Sequence, residues 1–413
     1  MDAPVRYLSA REAADRLGIS MATLYSYVSR GLLRSEAVGG ASRVRRYHAE
    51  DVEALRNRKA YRRDPGSVAQ SALSYGLPVL ESSITLIQDG CLYYRGYDAL
   101  MLAQQHSVEE VAALIWRDRL DPGGLFARQD PRSQEAAGQQ EPLNRKQNPI
   151  ELYQATLARA AVDDLAAYIT APEAVAATGA RILELLVAVT IGRPVTLPLA
   201  RSLQVGWAPN RPEAADLFSA AMILCADHEL NVSAFTARCV ASAGSTPYAA
   251  VIAGLAALQG HRHGGNTEQV AVLLREAGAG ITGAVAGYLK QGAPLPGFGH
   301  PLYPEGDPRG RLLLEWVGDR YPEKAAPALA RELCRAVYEL TGLRPTVDLA
   351  LETVARTLDL PPRAALVLFA LGRTIGWIGH AIEQYETGQL IRPRAHYVGS
   401  KVRILPSDDY DQP

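Results

Sequence analysis

The hydrophobic pattern of the chain changes once, near residue 78. From there on, long Ala-, Leu- and Val-rich stretches alternate with short Gly- and Pro-containing breaks, as packed helices do. Before residue 63 the elements are shorter and rich in arginine, and RRDPGSVAQSALSYGLP (62–78) has the composition of a linker. The pattern therefore predicts a small N-terminal domain over 1–63, a linker over 64–77 and a mainly α-helical body over 78–405.

The N-terminal segment predicts a helix, a turn, a second helix, a hairpin and a third helix. Ser9 precedes Glu12 by three residues, which is the spacing of a capping box, and Gly18 marks the end of the first helix. A second short helix follows, and LLRSEAVGGASRVRRYH alternates around Gly39 and Gly40 as a β-hairpin does. AEDVEALRNRKAYRR then predicts a third helix, acidic at its start and basic at its end, as the helix dipole favours.

This order of elements resembles the winged helix-turn-helix of MerR-type regulators and excisionases. The resemblance implies DNA binding through a recognition helix and through a wing whose arginines contact phosphates. Residues 1–63 hold thirteen Arg and Lys against seven Asp and Glu, an excess of six positive charges in a chain of net charge −1. The alternative is a basic helical domain that docks on the rest of the chain or on another protein. The candidate DNA contacts are Thr23, Tyr25 and Tyr27 on the recognition helix and Arg43, Arg45 and Arg46 on the wing.

Two stretches interrupt the helical texture of the body. SSITLIQDGCLYYRGY (82–97) predicts a hairpin that turns at Asp89 and Gly90. The stretch 121–148 is polar and lacks apolar periodicity, so we predict an exposed loop.

Composition narrows the class of protein. The 413 residues are 48% hydrophobic and 21% charged, as in an ordinary globular protein of two or three domains. The N-terminus lacks the pattern of a signal peptide, and the longest apolar stretch is broken by Arg373 and His380, which argues against a membrane span. The four cysteines form no CxxC pair, so we expect a reducing cytoplasm and no structural zinc.

Histidine indicates where a site lies. Four of the eight histidines fall within one window, and two of them are flanked by glycines that allow a close backbone approach to a ligand. A single histidine is usually structural, whereas this grouping favours a site. The spacing shows neither HxxxH nor HExxH, so we expect no metal. The four are His228, His261, His263 and His300.

Arginine and aspartate supply the rest of the candidate chemistry. Arg373 lies in an otherwise apolar stretch, and burying a guanidinium costs on the order of several kcal/mol unless an anion or acceptor meets it. It therefore either pairs with a carboxylate such as Glu383 or clamps a substrate carboxylate. Arg309 and Arg392 are either further clamps or solvated surface residues. Asp348, near a predicted helix start, is either a helix cap or a catalytic base.

Six motifs occur in an order and spacing that resemble the citrate synthase family, over roughly residues 76–400. CLYYRGYDALMLAQQHSVEEVAALIW (91–116) is similar to the N-terminal YRGY region of that family. The resemblance implies a mainly α-helical homodimer with a large and a small domain, the small one roughly 260–350, and an active site in the cleft between them. The motifs are DHELNVSAFTARCVAS, GHRHGG, PGFGHPLYPEGDPRG, PTVDLALETV, FALGRTIGWIGHAIEQ and IRPRAHYVG.

The resemblance also implies a reaction, the condensation of acetyl-CoA with oxaloacetate to citrate, with acetyl-CoA as substrate and no separate cofactor. It assigns Asp348 to take a proton from the acetyl methyl group, His263 to hold or protonate the enolate oxygen, and His300 to donate to the oxaloacetate carbonyl. The residues that would hold the oxaloacetate dianion are His228, Arg309 and Arg373, with Arg392 from the partner subunit.

The chain departs from the family pattern on the side expected to bind CoA. Asn266-Thr267-Glu268 stands where Ala-Asn-Glu is typical, and proline and alanine stand beside GFGH where basic residues are usual. Two interpretations stay open. One is a working synthase for citrate or 2-methylcitrate, and the other is a transcription factor that senses oxaloacetate or an acyl-CoA through a synthase-like body. The full set of His263, His300 and Asp348 favours the enzyme, whereas the CoA-side changes favour the sensor.

Overall fold

The computed structural model describes residues 7–29, 33–37, 45–49, 51–52, 80–126, 148–395 and 397–400. The described residues fall into two compact units. One unit holds the residues up to Glu81 and those from Pro393 onward, and the other is Ser82–Arg392. Each unit has its own hydrophobic core.

The described residues of the first unit form two helices and a three-stranded antiparallel sheet. Its elements are β1 (Tyr7–Ser9), α1 (Ala10–Leu17), α2 (Met21–Ser29), β2 (Ser35–Ala37) and β3 (Arg45–His48). The strand β3 lies in the middle and pairs with both β1 and β2. The two helices and the pairing of β2 with β3 confirm the predicted order, whereas β1 was not predicted because three residues carry too little periodicity. The hairpin turn and most of the predicted third helix lie outside the described residues.

The first helix begins and ends as its sequence predicts. The Glu12 backbone N–H donates to Ser9 Oγ at 3.3 Å, and the Ser9 backbone N–H donates to Glu12 Oε2 at 2.8 Å, which completes the capping box. Gly18 ends the helix in the left-handed region, with φ of 57°. The apolar face of this helix, which includes Ala13 and Leu17, is buried in the core of this unit.

The second unit begins with the predicted hairpin. The strands β4 (Thr85–Gln88) and β5 (Cys91–Tyr94) pair antiparallel, and β6 (Tyr97–Asp98) adds a short third strand. Asp89 and Gly90 both have positive φ, 52° and 75°, as a two-residue turn of this kind requires.

The rest of the second unit, as far as its residues are described, is mainly helical. Its helices are α3 (Ala99–Gln105), α4 (Val108–Arg117), α5 (Pro149–Asp163), α6 (Pro172–Ile191), α7 (Leu199–Trp207), α8 (Ala214–Leu224), α9 (Val232–Ser242), α10 (Pro247–Leu258), α11 (Asn266–Ala279), α12 (Ile281–Lys290), α13 (Pro308–Arg320), α14 (Ala325–Thr341), α15 (Val347–Thr357) and α16 (Ala364–Thr387), with a 3-10 turn at Leu165–Tyr168. Of the predicted exposed loop, residues 121–126 form turns and 127–147 lie outside the described residues.

The helix α16 is the central element of this unit. It packs against α4, α6, α8, α9, α10 and α15, and it is buried along most of its length. Two glycines allow neighbouring backbone to come close: a Cβ added at Gly372 would lie 2.3 Å from the Met222 carbonyl oxygen, and one at Gly376 would lie 2.4 Å from that of Ala226. Both α6 and α16 are long and apolar enough to cross a membrane, but 83% and 100% of their most apolar windows are buried within the protein, as in core helices.

A second, smaller core lies beside the main one. It is formed by α11, α12 and α14 together with Phe298 and Leu349. On α15, Leu349 belongs to the smaller core, whereas Leu351 and Val354 belong to the larger one. The start of α15 therefore lies where the two cores meet, and Asp348 is in its first turn.

Candidate active site

His263 is presented by a tight turn between α10 and α11. The His263 backbone N–H donates to the Gly260 carbonyl at 2.8 Å, and a Cβ at Gly265 would lie 2.5 Å from the Gln259 carbonyl oxygen, so only glycine fits there. The Nε2 atom of His263 lies 2.7 Å from Ser233 Oγ. Burial, and next the charge of Arg373, lower the pKa of His263 to about 3, so its imidazole is neutral at physiological pH.

The loop that carries His300 is fastened to the segment before α15. Gly297 and Gly299 have positive φ, 78° and 75°, which explains the two glycines in the motif. The Gly299 N–H donates to the Arg344 carbonyl at 2.9 Å, and the Thr346 N–H donates to the Gly297 carbonyl at 2.8 Å. These bonds hold His300 close to the start of the helix that carries Asp348.

The tautomer of His300 follows from one backbone bond. The Leu302 N–H donates to Nδ1 of His300 at 3.2 Å, so in the neutral ring the proton is on Nε2. Burial, and next the charge of Arg309, lower the pKa of His300 to about 4. Its ring centroid lies 5.2 Å from that of His228 and 5.0 Å from that of Tyr303. His300 is thus a neutral hydrogen-bond donor that lies beside the rings of His228 and Tyr303.

Asp348 is a half-buried carboxylate with two side-chain donors. Asn266 Nδ2 and Thr346 Oγ1 each donate to Oδ2 at 3.2 Å. Burial raises the pKa of Asp348, against the opposing effect of these hydrogen bonds. The backbone N–H of Asn266 also donates to the His263 carbonyl at 2.9 Å, so this one residue links Asp348 to His263. The N-cap position of α15 is held by Thr346, which leaves Asp348 free of the capping role.

Arg373 is buried, and one of its guanidinium nitrogens makes no hydrogen bond within the described residues. Its Nε donates to the Cys225 carbonyl at 2.8 Å, and its guanidinium lies 4.8 Å from the centre of the Phe369 ring. Among the residues that the structure describes, Nη1 has no hydrogen-bond partner. The alternative partner Glu383 is instead paired with Arg238 at 3.1 Å. The geometry therefore favours the interpretation of Arg373 as a clamp for an anion.

Arg309 is buried beside His228 and Tyr303. Its Nε and Nη2 donate to Asp307 at 2.9 Å each, and its guanidinium lies 5.5 Å from the Tyr303 ring. Burial opposes the charge of Arg309, but Asp307 raises its pKa. Asp307 Oδ2 also accepts from the Val347 N–H at 3.0 Å. The Nε2 atom of His228 lies 3.1 Å from the Tyr303 hydroxyl, and burial keeps the pKa of His228 well below its ordinary value.

The structure brings most of the predicted site residues into one connected group. Arg392 is outside it: the side chain is exposed on the segment after α16. His261 is exposed as well. In the described part of the chain, no cluster of three metal-ligating side chains is found. The connected residues are His228, His263, His300, Arg309, Asp348 and Arg373.

Sequence reasoning missed several side chains that complete this group. Ser233 contacts His263, Asn266 contacts Asp348, Tyr303 contacts His228, and Asp307 holds Arg309. All of them lie inside or next to the motifs, but spacing alone does not say which polar residue of a motif points inward. Asn266 was noticed only as a departure from the family pattern.

The predicted DNA contacts divide into exposed and internally bonded residues. On α2, Tyr25 is 53% exposed, whereas Tyr27 packs partly against the core. On β3, Arg46 donates to Glu36 at 3.0 Å and its guanidinium lies 3.9 Å from the Tyr7 ring centre. Thr23 Oγ1 contacts Ser20 Oγ at 2.9 Å, Arg45 donates to Ser35 Oγ at 3.0 Å, and Arg43 lies outside the described residues.

Both units match known protein families. A family profile described as citrate synthase, C-terminal domain, matches residues 73–394, and one described as a helix-turn-helix domain matches 7–60. The chain belongs to the citrate synthase family. It is 30% identical over 339 residues to a citrate synthase of Mycolicibacterium smegmatis, covering 76% of this chain and 90% of that protein. It is also 30% identical over 344 residues to a 2-methylcitrate synthase of Mycobacterium tuberculosis, covering 77% of this chain and 87% of that protein.

The fold of the family is shared as well. The structure matches citrate synthase from Thermoplasma acidophilum, solved as a ternary complex with carboxymethyl coenzyme A and oxaloacetate. The TM-score is 0.67 at 25% sequence identity, and the match covers 82% of this chain and 98% of that one. The predicted fold class, a citrate synthase-like helical body preceded by a helix-turn-helix domain, is thereby confirmed.

Proposed function

We propose that the chain condenses an acyl-CoA with oxaloacetate and releases free CoA, as an acyltransferase of the citrate synthase type. The observation that carries this proposal is the buried Nη1 of Arg373, which has no hydrogen-bond partner among the described residues and lies in a group of neutral histidines. An unsatisfied buried guanidinium nitrogen is costly, and a substrate carboxylate would satisfy it.

Asp348 is suited to be the base. A methyl group beside a thioester is a weak acid, so the base must be an ionised carboxylate that water solvates poorly. Burial raises the pKa of Asp348 and strengthens it as a base, while the two bonds to Oδ2 keep the charged form accessible. Because both donors use Oδ2, Oδ1 is the oxygen left to take the methyl proton.

His263 is suited to hold the enolate oxygen that forms as this proton leaves. Asn266 links the backbone of His263 to the side chain of Asp348. The base and the acid are therefore positioned to act on the same acyl group. The hydroxyl proton of Ser233 can go either to Asn231 Oδ1, at 2.7 Å, or to Nε2 of His263. Donation to His263 places that ring's own proton on Nδ1, from which it stabilises the enolate.

The second half of the site suits oxaloacetate. The enolate carbon would attack the ketone carbon while Nε2–H of His300 donates to the ketone oxygen, and hydrolysis of the resulting thioester would release CoA. Arg373 through Nη1, Arg309 through its nitrogen not bonded to Asp307, and His228 would hold the carboxylates. Two buried arginines match the two negative charges of oxaloacetate.

The acyl group is either acetyl or propionyl. Relatives named citrate synthase and 2-methylcitrate synthase are equally similar, at 30% identity. The two substrates differ by one methylene, worth about 1–3 kcal/mol in a binding pocket. The assay is release of free CoA thiol from each acyl-CoA in the presence of oxaloacetate.

The control for this assay is a pair of aspartate variants. Asp348→Asn should abolish turnover, whereas Asp319→Asn, at an exposed carboxylate on α13, should leave it unchanged. The faster acyl-CoA would identify the substrate. Absence of turnover with either acyl-CoA, together with retained oxaloacetate binding, would contradict the synthase and favour the sensor.

We further propose that the first unit binds DNA. The excess of positive charge in residues 1–63 and the exposed Tyr25 on the second helix of a helix-turn-helix support this. The test is DNA affinity of the full chain at several salt concentrations, with and without oxaloacetate. Arg45→Ala should reduce the salt slope by about one, whereas Lys290→Ala, an exposed lysine of the second unit, should not. Lack of affinity at low salt would favour the docking alternative.

Arg392 fits the proposal only if a second copy of the chain uses it. Its exposed side chain is then a substrate ligand in trans, and the protein is a homodimer. Light scattering gives the oligomeric state, and Arg392→Ala should raise the KM for oxaloacetate of the dimer. A monomeric active enzyme would contradict this assignment.

A further inference from the structure

A buried acid–histidine pair lies behind the candidate active site. Asp227 and His380 both have 0% exposure, and the Nε2 atom of His380 lies 3.1 Å from Asp227 Oδ1. Thr85 Oγ1 donates to the other carboxylate oxygen, Oδ2, at 2.6 Å. Both oxygens of Asp227 are therefore satisfied, although the residue carries a charge in the interior. Burial opposes this charge, but His380 holds the pKa of Asp227 below its ordinary value.

The pair is the last of three contacts between one face of α16 and one short segment. Positions 373, 376 and 380 lie on the same face of the helix because they are three and seven residues apart. Arg373 Nε donates to the carbonyl of residue 225, the Gly376 N–H donates to the Ala226 carbonyl at 3.0 Å, and His380 contacts Asp227. Successive turns of one helix thus hold three successive residues of the segment that ends at His228.

The other side of this segment is held by the β-sheet. The hydroxyl group of Tyr94 donates to the carbonyl of Asp227 at 3.2 Å, and the Asp227 N–H donates to the Tyr94 hydroxyl oxygen at 3.4 Å. A Cβ at Gly376 would lie 2.5 Å from Asp227 Oδ1, so the close approach of helix and segment depends on glycine. The backbone before His228 is consequently fixed between α16 and the strands β4 and β5.

The pair also explains how Arg373 is charged without a direct partner. Burial lowers the pKa of Arg373, and Asp227 is the group that most opposes this effect. No ion pair within 4.0 Å joins Arg373 to a carboxylate of the described residues. Asp227 therefore balances the charge of Arg373 from a distance, and it does not occupy the Nη1 atom of that guanidinium.

We propose that Asp227 and His380 are positioning residues of the half-site for oxaloacetate. They hold the backbone that carries His228 in register with Arg373, and Asp227 balances the Arg373 charge without occupying the nitrogen that meets the substrate. This inference rests on the proposed function, because oxaloacetate is the ligand of that half-site.

The experiment compares His380→Met with His380→Gln in the full chain. Methionine removes the donor to Asp227, whereas the glutamine amide retains one. We expect His380→Met to raise the Kd for oxaloacetate, measured by calorimetry, by about 10- to 100-fold with an unchanged KM for the acyl-CoA. His380→Gln should recover most of the affinity. Thr374→Val is the matched control: it removes a buried hydroxyl from the same helix that bonds only its own backbone, at Ala370.

Each outcome decides the proposal. His380→Met with unchanged affinity for oxaloacetate, or Thr374→Val with an equal loss, would overturn it. If His380→Met does not fold, Thr85→Val tests the other oxygen of Asp227, and unchanged affinity there would overturn the proposal. Wild-type protein that binds oxaloacetate without turnover would contradict the enzyme but leave the binding comparison valid. Wild-type protein that does not bind oxaloacetate would overturn both.

Discussion

The hydrogen bond from Asn266 to Asp348 gives a prediction about the pH profile of the reaction. Asn266→Ala removes one of two donors to Oδ2 while retaining the backbone bond to His263. The base must be ionised to act, and the lost hydrogen bond had favoured its ionised form. The pKa of Asp348 is already raised by burial and should rise further. Activity that is lost as the pH falls should therefore be lost at a higher pH in the variant.

The size of the effect follows from the geometry. Hydrogen bonds to charged groups contribute about 1.5–3 kcal/mol, and the 3.2 Å length places this one at the weak end of that range. About 1.5 kcal/mol corresponds to roughly a tenfold lower rate on the acidic side of the profile. Well above the pKa, where the carboxylate is ionised in both proteins, the rates should converge.

The assay is kcat as a function of pH with saturating oxaloacetate and acyl-CoA. Thr346→Val removes the other donor to the same oxygen and should move the acidic limb in the same direction. Thr267→Val is the matched control, because its hydroxyl donates to the Gly264 carbonyl at 2.8 Å and does not contact Asp348. If the acidic limb does not move in a folded Asn266→Ala enzyme, the group that titrates there is not influenced by Asn266. That result would refute the assignment of Asp348 as the base.

Three further predictions concern the fold and its dependence on pH. Gly376→Ala places a Cβ against the Ala226 carbonyl and Asp227, so it should lower stability by about 1–3 kcal/mol and raise the KM for oxaloacetate. Gly283→Ala is the control: this helical glycine has open space around it, so thermal melting should show a neutral or stabilising effect. Because His263 and His300 have pKa values of about 3 and about 4 when folded, the unfolded chain binds more protons below about pH 6.5. The free energy of unfolding in urea should therefore fall on acidification from pH 7 to about 5.5. These two histidines contribute at most about 2.7 kcal/mol per pH unit, and His228, whose pKa is also lowered by burial, adds to the fall, so a pH-independent value would contradict histidines that are neutral in the folded protein. Ser9→Ala should cost the first unit about 1 kcal/mol by removing its capping box, measured by circular dichroism, and an unchanged melting curve would show that the cap is dispensable.

Local signals in the sequence were sufficient for the elements that depend on nearby residues. The capping box at Ser9, the left-handed turn at Gly18 and the two-residue turn at Asp89 and Gly90 are each decided by a few neighbouring side chains and by backbone sterics. The short strands β1 and β6 were not predictable, because two or three residues carry no periodicity and each forms only by pairing with a strand already in place.

The sequence alone determined which residue types carry the chemistry: the histidines, arginines and aspartate of the motifs. It did not determine their surroundings. Glu383 stood as the candidate partner of Arg373 until the fold paired it with Arg238, and Asn266 was only a departure from a pattern until the fold placed it on Asp348. Tertiary structure decided these points because ion pairing, burial and pKa depend on groups far apart in the sequence, 145 residues for Arg238 and Glu383 and 82 for Asn266 and Asp348. Only the packing of α16 and α15 against the rest of the chain brings these groups together.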